Sequence, residues 1–271
     1  MLSSGNLICL SGILLFAAWL LKTSLGRTSL QNSRVRRHAM PIWIIVPIFF
    51  LWTVPPMLMM AAINPWLRST APWQQALWGN IVMGISSLGT IAVILVLGYC
   101  CCARRLTGLG LGGKRLHKDF GAACVNLLTV WPLVLALILV VTTIQQSLHG
   151  PQYHIQQHEE LNYLVQFNQW PLRLSIVIMA VILAPVVEEL IFRGILQTTI
   201  RSVIHSPWIA IVLGSAAFAA AHANKEHWPS LFVLGLAMGY AYEKSGSLWR
   251  AIFVHALFNG ITIASYLIQP S

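Results

Sequence analysis

"LSIVIMAVILAPVVEELIFRGILQ", residues 174–197, is an apolar run that contains two adjacent glutamates and, four residues after the second, an arginine. A helix of about 20 residues crosses the hydrocarbon core of a bilayer, and this run is long enough to do so. Charge held at that depth costs from about 3 to above 10 kcal/mol unless it is paired or faces water. Only seven acidic residues occur among the 271, so two side by side inside such a run are a strong signal of built-in chemistry.

The rest of the chain is of the same kind. It is 57% hydrophobic and 9% charged, with a mean hydropathy of +0.72. Soluble domains carry about 25% charged residues. The composition predicts an all-α fold, a polytopic transmembrane helical bundle of about eight transmembrane helices. Read with the bilayer as a ruler, these fall at 5–21, 41–63, 79–103, 120–144, 172–198, 208–223, 230–243 and 248–268. The sixth and seventh are short. Residues 1–21 have no Lys or Arg before the apolar run, so they read as a retained first helix and not as a signal peptide. The whole of 1–271 reads as a single integral membrane domain, in which 1–150 supply accessory helices.

The net charge of +10 is distributed in short segments between apolar runs. That pattern suits anionic lipid headgroups; no basic face or binding motif for nucleic acid is present. Lys22, Arg27, Arg34, Arg36 and Arg37 follow the first helix, and Arg104, Arg105, Lys114, Arg115 and Lys118 follow the third. The intervening loop has only Arg68, and 145–171 has no Lys or Arg at all. Alternate loops are therefore basic, which predicts that they face the cytoplasm and that the N-terminus faces outward. Arg201, Lys244 and Arg250 continue the alternation. "GLGLGG", from Gly108 to Gly113, has the spacing of a dinucleotide fingerprint but no preceding strand, and reads as a flexible basic loop. The five cysteines form no disulfide pattern, and Cys100, Cys101 and Cys102 read as small residues at a helix end.

Helix geometry gives the two glutamates of the opening run different neighbours. Glu189 and Arg193 are four apart, on one face, and can pair. Glu188 is turned about 100° away and has no local partner, so it is expected to face a wet cavity. Pro185 removes a backbone hydrogen bond just before it and is expected to bend the helix there. Two later stretches offer partners. "FAAAH" places Phe218 and His222 on one helix face, and "HALFN" does the same for His255 and Asn259. Taken singly, each of these residues reads equally well as interhelical glue.

Taken in order, "EELIFR", "FAAAH" and "HALFN" resemble the three motifs EExxxR, FxxxH and HxxxN of the CPBP family of intramembrane proteases. That family includes the type II CAAX prenyl endopeptidases and bacteriocin-processing proteins. The similarity covers 172–268, which the resemblance makes the catalytic core. It implies that Glu188 is the catalytic base, that His222 helps it to activate a water, and that His255 and Asn259 stabilise the oxyanion. Glu189 and Arg193 match positions that serve as structural support.

These implications amount to an endopeptidase acting on a membrane-embedded or lipidated peptide or protein, a prenylated CAAX-like tail included. The expected location is a bacterial plasma membrane, multi-pass, with the lipid bilayer as the other partner. No cofactor is required in the preferred reading; zinc held by Glu188, His222 and His255 is the alternative. A non-catalytic membrane immunity or scaffold protein retaining the family core is the competing functional class, and a transporter is a third.

A cavity between the fifth, sixth and eighth helices is expected to open toward the cytoplasm. Straight rods do not quite assemble it. With about 1.5 Å rise per residue, Glu188 and His255 reach similar depths, while His222 falls about 13 Å too far out. A bend at Pro185, helix tilt, or a non-spanning piece around 194–207 would reconcile them. "GILQTTIRSVI", 194–204, is the candidate for such an interfacial helix.

Overall fold

The computed structural model describes residues 4–33, 36 and 38–268. Arg34 and Arg37, counted above in the first basic loop, lie outside the described residues. Every expected apolar segment forms a helix: α1 Ser4–Lys22, α2 Ile45–Leu67, α3 Pro72–Cys101, α4 Leu116–His149, α6 Trp170–Ile204, α7 Pro207–Ala220, α8 Trp228–Ser245 and α9 Leu248–Ile268. A short helix, α5 (Glu159–Gln166), lies in the loop before α6. Among the described residues there is no β-strand, only an isolated antiparallel pairing of His38 with Cys102. The chain is an all-α, multi-pass membrane protein.

Six of these helices are long and apolar enough to cross a bilayer, fewer than the eight expected. The two that fall short are α7, with only 14 residues, and α8, which carries Glu243 and Lys244 near its end. α8 sits largely against other helices, with Leu234, Met238 and Tyr242 at most 1% exposed, whereas α7 still exposes Ile209, Val212 and Leu213 at 42–45%. α8 therefore needs little lipid-facing surface and is free to be more polar, while α7 stays apolar and is only short.

Contacts sort the loops into two ends. At one end Arg36 and Arg201 both pair with Glu243, Lys244 donates to Ser29 O, and Arg250 pairs with Asp119. At the other, Gln145 Nε2 and Tyr153 Oη donate to Glu226, and Asn224 Nδ2 donates to Gln156 O. The described basic loops thus share one end of the bundle, as the alternation of charge predicts. The Gly-rich segment belongs to that end and is a packed loop, contrary to the flexible one expected. Leu109 is fully buried, and Gly110 (φ +90°) lies so close to the α8–α9 turn that its carbonyl accepts from Leu248 N at 2.9 Å. A side chain at Gly110 would collide with backbone 2.7 Å away.

The long helix α6 is α-helical except for π-helical stretches at Met179–Leu183 and Leu190–Gln197. It ends at His205, in the left-handed conformation (φ 61°), and Ser206 caps the start of α7 by accepting from Ile209 N. Residues 194–204 are therefore not an interfacial piece: they continue α6, and Gly194 to Arg201 are all buried. The polar residues in this stretch are paired with α8, which runs parallel to α6. Arg193 Nη2 donates to Gly235 O, Gln197 Nε2 donates to Gly239 O, and Arg201 pairs with Glu243. The three rungs are four residues apart on both helices. Glycine at 235 and 239 lets the helices approach closely enough for a side chain to reach a carbonyl that is already in a helix. A Cβ on Gly239 would lie 2.8 Å from Gln197 Oε1.

Candidate active site

The continuity of α6 removes the difficulty with depth. Measured from the basic end at about 1.5 Å per residue, Glu188 lies about 24 Å from the end of α6, and His222 lies about 22 Å from the start of α7. The last helix starts deeper, because Leu248 packs at the level of Gly194, with 3.8 Å between its Cδ2 and a Cβ built there. Seven residues further, His255 therefore arrives beside the two glutamates.

The glutamates then part as their spacing predicts. Glu189 is fully buried, and its Oε1 accepts from Arg193 Nη1 at 2.6 Å and from His255 Nδ1 at 3.0 Å. Arg193 lies over the Phe218 ring at 4.6 Å, and Phe218 meets the His255 ring edge-on at 5.5 Å. Glu189 is thus more than a partner of Arg193: it also fixes the ring of His255, across 66 residues of sequence, a contact the spacing of motifs does not reveal. A carboxylate already paired with arginine accepts only, so Nδ1 carries the proton and Nε2 points on toward Glu188, whose Oε2 is 3.9 Å away. Glu188 Oε2 has no donor from the protein.

The other two motif residues are anchored through backbone. His222 Nδ1 lies 2.8 Å from Phe218 O, which can only accept, so here too Nε2 is the free nitrogen. The Trp228 indole donates to His222 O and steadies the turn. Asn259 Nδ2 donates to Ala180 O at 2.8 Å. That carbonyl lies in the first π-helical stretch, where Ala184 N–H reaches back to Met179 O. In the same i→i+5 register, Ala180 O would look to residue 185, a proline without an N–H. Asn259 supplies the missing donor. One of its amide hydrogens is therefore engaged, and the other is free.

Glu188, His222, His255 and Asn259 all line one cavity of about 810 Å³. Its walls differ from those expected, since α2, α3 and α5 contribute as well as the later helices. Asn80 and Ser87 of α3, two turns apart with Met83 between them and Ala76 one turn before, form a stripe on the cavity. A spacing of seven between polar residues in an apolar run is the signal that would have found them. His158, Glu159 and Glu160 stand at its mouth. His158 stacks on His227 with ring centroids 5.1 Å apart. Although its edge reaches solvent, loss of hydration and then the repulsion of His227 hold this imidazole below its ordinary range, against the pull of Glu160.

The chemistry of Glu188, His222 and His255, one carboxylate and two imidazoles with Nδ1 anchored, is of a kind that zinc uses. Their placement is not. Zinc ligands stand about 2.0–2.2 Å from the metal, and among the described residues no three His, Cys, Asp or Glu side chains come together to hold an ion.

Comparison with known proteins adds a family. Residues 169–261, about a third of the chain, match the family model described as type II CAAX prenyl endopeptidase Rce1-like. The match covers the same segment as the three motifs and bears out their resemblance. No curated protein and no solved structure gives a match.

Proposed function

We propose, from the premise that residues 169–261 form a domain of the Rce1-like, type II CAAX prenyl endopeptidase family, that this integral membrane protein is an endopeptidase working by a glutamate-activated water. The observation that carries the reading is the division between adjacent carboxylates. Glu189 is fully buried and accepts from both Arg193 and His255 through Oε1, while Glu188 accepts from neither and stands on the wall of a cavity of about 810 Å³; Oε2 of each lacks a protein donor.

In this reading Glu188 takes a proton from a cavity water, and the oxygen adds to the scissile carbonyl carbon. His222 Nε2 accepts the second hydrogen of that water and orients it. The carbonyl electron pair moves onto oxygen, and the resulting oxyanion receives two hydrogen bonds. One comes from His255 Nε2–H, on a ring held by Glu189; the other comes from the free amide hydrogen of Asn259. Glu188 then passes its proton to the nitrogen as the C–N bond breaks. This role requires a hydrogen on His255 Nε2 as well as on Nδ1, which already donates to Glu189. No step is routed through zinc, because the three donors are not assembled around one point.

The substrate class is a peptide segment at or in the membrane. Lipidated CAAX tails are what the family's name refers to, and a bacterial plasma membrane is the setting. The test is substrate trapping. Membranes holding the wild-type chain or Glu188→Gln are compared by mass spectrometry for new peptide termini. Termini present only with wild type, and intact partners retained by the variant, are expected. Identical terminus sets from both membranes would reject the activity.

A further inference from the structure

The cavity has one open end and one closed end. Pro72, Gln75, Glu159 and Glu160, all exposed, form its rim, and Glu188 and His255 lie at its floor. Below the floor the bundle is sealed. Phe192, Arg193, Gln197 and Thr199 of α6 are at most 1% exposed, and Tyr242 and Leu248 are fully buried beside them. Thr198 Oγ1, Tyr242 Oη and Leu109 O form a hydrogen-bonded plug at the same level. No peptide reaches Glu188 through that side without unpacking the core.

The rim belongs to the end of the bundle that lacks the basic loops. It is formed by the start of α3, by His158 and by α5, and His158 stacks on His227 of the neighbouring loop. Among the described Lys and Arg residues, only Arg68, Arg173 and Lys225 lie in the segments at this end, and Arg193 is buried in the middle. Arg173 is tied to Leu164 O, Phe167 O and Asn168. The cations that set orientation are all at the closed end. We infer that the active site opens to the extracytoplasmic face, and that the substrate is an extracytoplasmic segment of a membrane-anchored protein, not a cytoplasmic C-terminal tail. This direction is opposite to the one expected from the sequence.

The lining agrees with an internal peptide bond. Among the described residues around the cavity there is no Lys or Arg, and Glu159 and Glu160 flank the entrance. A C-terminal carboxylate, present near the scissile bond of any tail substrate, would find repulsion there and no counter-ion. An internal segment brings no such charge.

The inference rests on the protease reading for its substrate, but its test does not need cleavage. Glu160→Cys and Lys114→Cys, each exposed, are placed singly in a chain whose five native cysteines are replaced by alanine. They are treated with a membrane-impermeant maleimide in right-side-out and inverted vesicles. The expected result is labelling of position 160 only in right-side-out vesicles and of position 114 only in inverted ones. The reverse pattern, or labelling of both from one face, would overturn the inference. Should the cysteine-free chain fail to accumulate, the same two variants in the native background are compared with the unsubstituted protein. Wild-type cleavage by Glu188→Gln would reject the protease while leaving the vesicle result standing, so the two failures are distinguishable.

Discussion

Asn259 and Ala180 meet through a 2.8 Å hydrogen bond, from the side-chain amide to a carbonyl whose i+5 neighbour is Pro185. The proline leaves a backbone acceptor without its donor inside the membrane, and an asparagine from another helix supplies it. The bond fixes the last helix against α6 at the level of the catalytic candidates. It also leaves a single amide hydrogen of Asn259 for substrate.

This relationship predicts a compensating pair. Asn259→Leu strips the donor from Ala180 O and is expected to lower stability by about 1–3 kcal/mol, the cost of an unsatisfied buried polar group. Pro185→Ala restores a backbone N–H within reach of the same carbonyl. In a double-mutant cycle read by thermal unfolding in detergent, the loss from Asn259→Leu should shrink by about 1 kcal/mol in the Pro185→Ala background. Strict additivity of the two changes would show that Asn259 does not stand in for the missing N–H.

The two glutamates should respond differently to amide substitution. Glu189→Gln leaves Arg193 buried without its counter-ion, and breaking such a pair costs about 3–5 kcal/mol. Glu188→Gln removes a carboxylate that no protein donor satisfies, and its unfolding temperature should stay at or above that of wild type. Equal destabilisation by both would contradict the division of roles.

The parallel ladder between α6 and α8 makes a steric prediction. A methyl group at Gly239 would lie 2.8 Å from Gln197 Oε1, and one at Gly235 would lie 3.0 Å from Ser215 Cβ. Gly235→Val should therefore cost about 1–3 kcal/mol by overpacking. Gly239→Ala should lose less, since Gln197 can swing away at the expense of its bond to Gly239 O. Gly79→Ala, inside α3 where a Cβ meets nothing within 4 Å, is the control and should not lower stability.

The water mechanism also predicts indifference to chelation. A purified sample should cut at the same rate before and after treatment with a strong chelator. Loss of cleavage that zinc restores would show that the three donors close around an ion during turnover.

Much of this was legible in the sequence, and for physical reasons. The i,i+4 spacing of Glu189 and Arg193 placed them on one face, and the 100° step sent Glu188 to another. Hydropathy located each apolar segment, and the alternation of basic loops sorted the two ends. The rest depended on contacts that hydropathy does not encode. Gln197 and Arg201 look like residues of a surface helix, and only their partners 42 residues later on α8 make them core. The π-helical stretches shift the register of α6 without changing its composition. The cavity mouth is built from α5, whose acidic residues read as part of a loop. His255 showed its place on the last helix but not its bond to Glu189, which arises only when α9 starts deep in the bundle.

The central claim is that Glu188 is the base, and the most direct test is the rate at which Glu188→Gln cuts a trapped substrate. With the variant folded to the wild-type extent, a fall of about 10²–10⁴-fold in the single-turnover rate is predicted, the scale of a lost general base. A Glu188→Gln protein that cleaves at the wild-type rate would contradict the account.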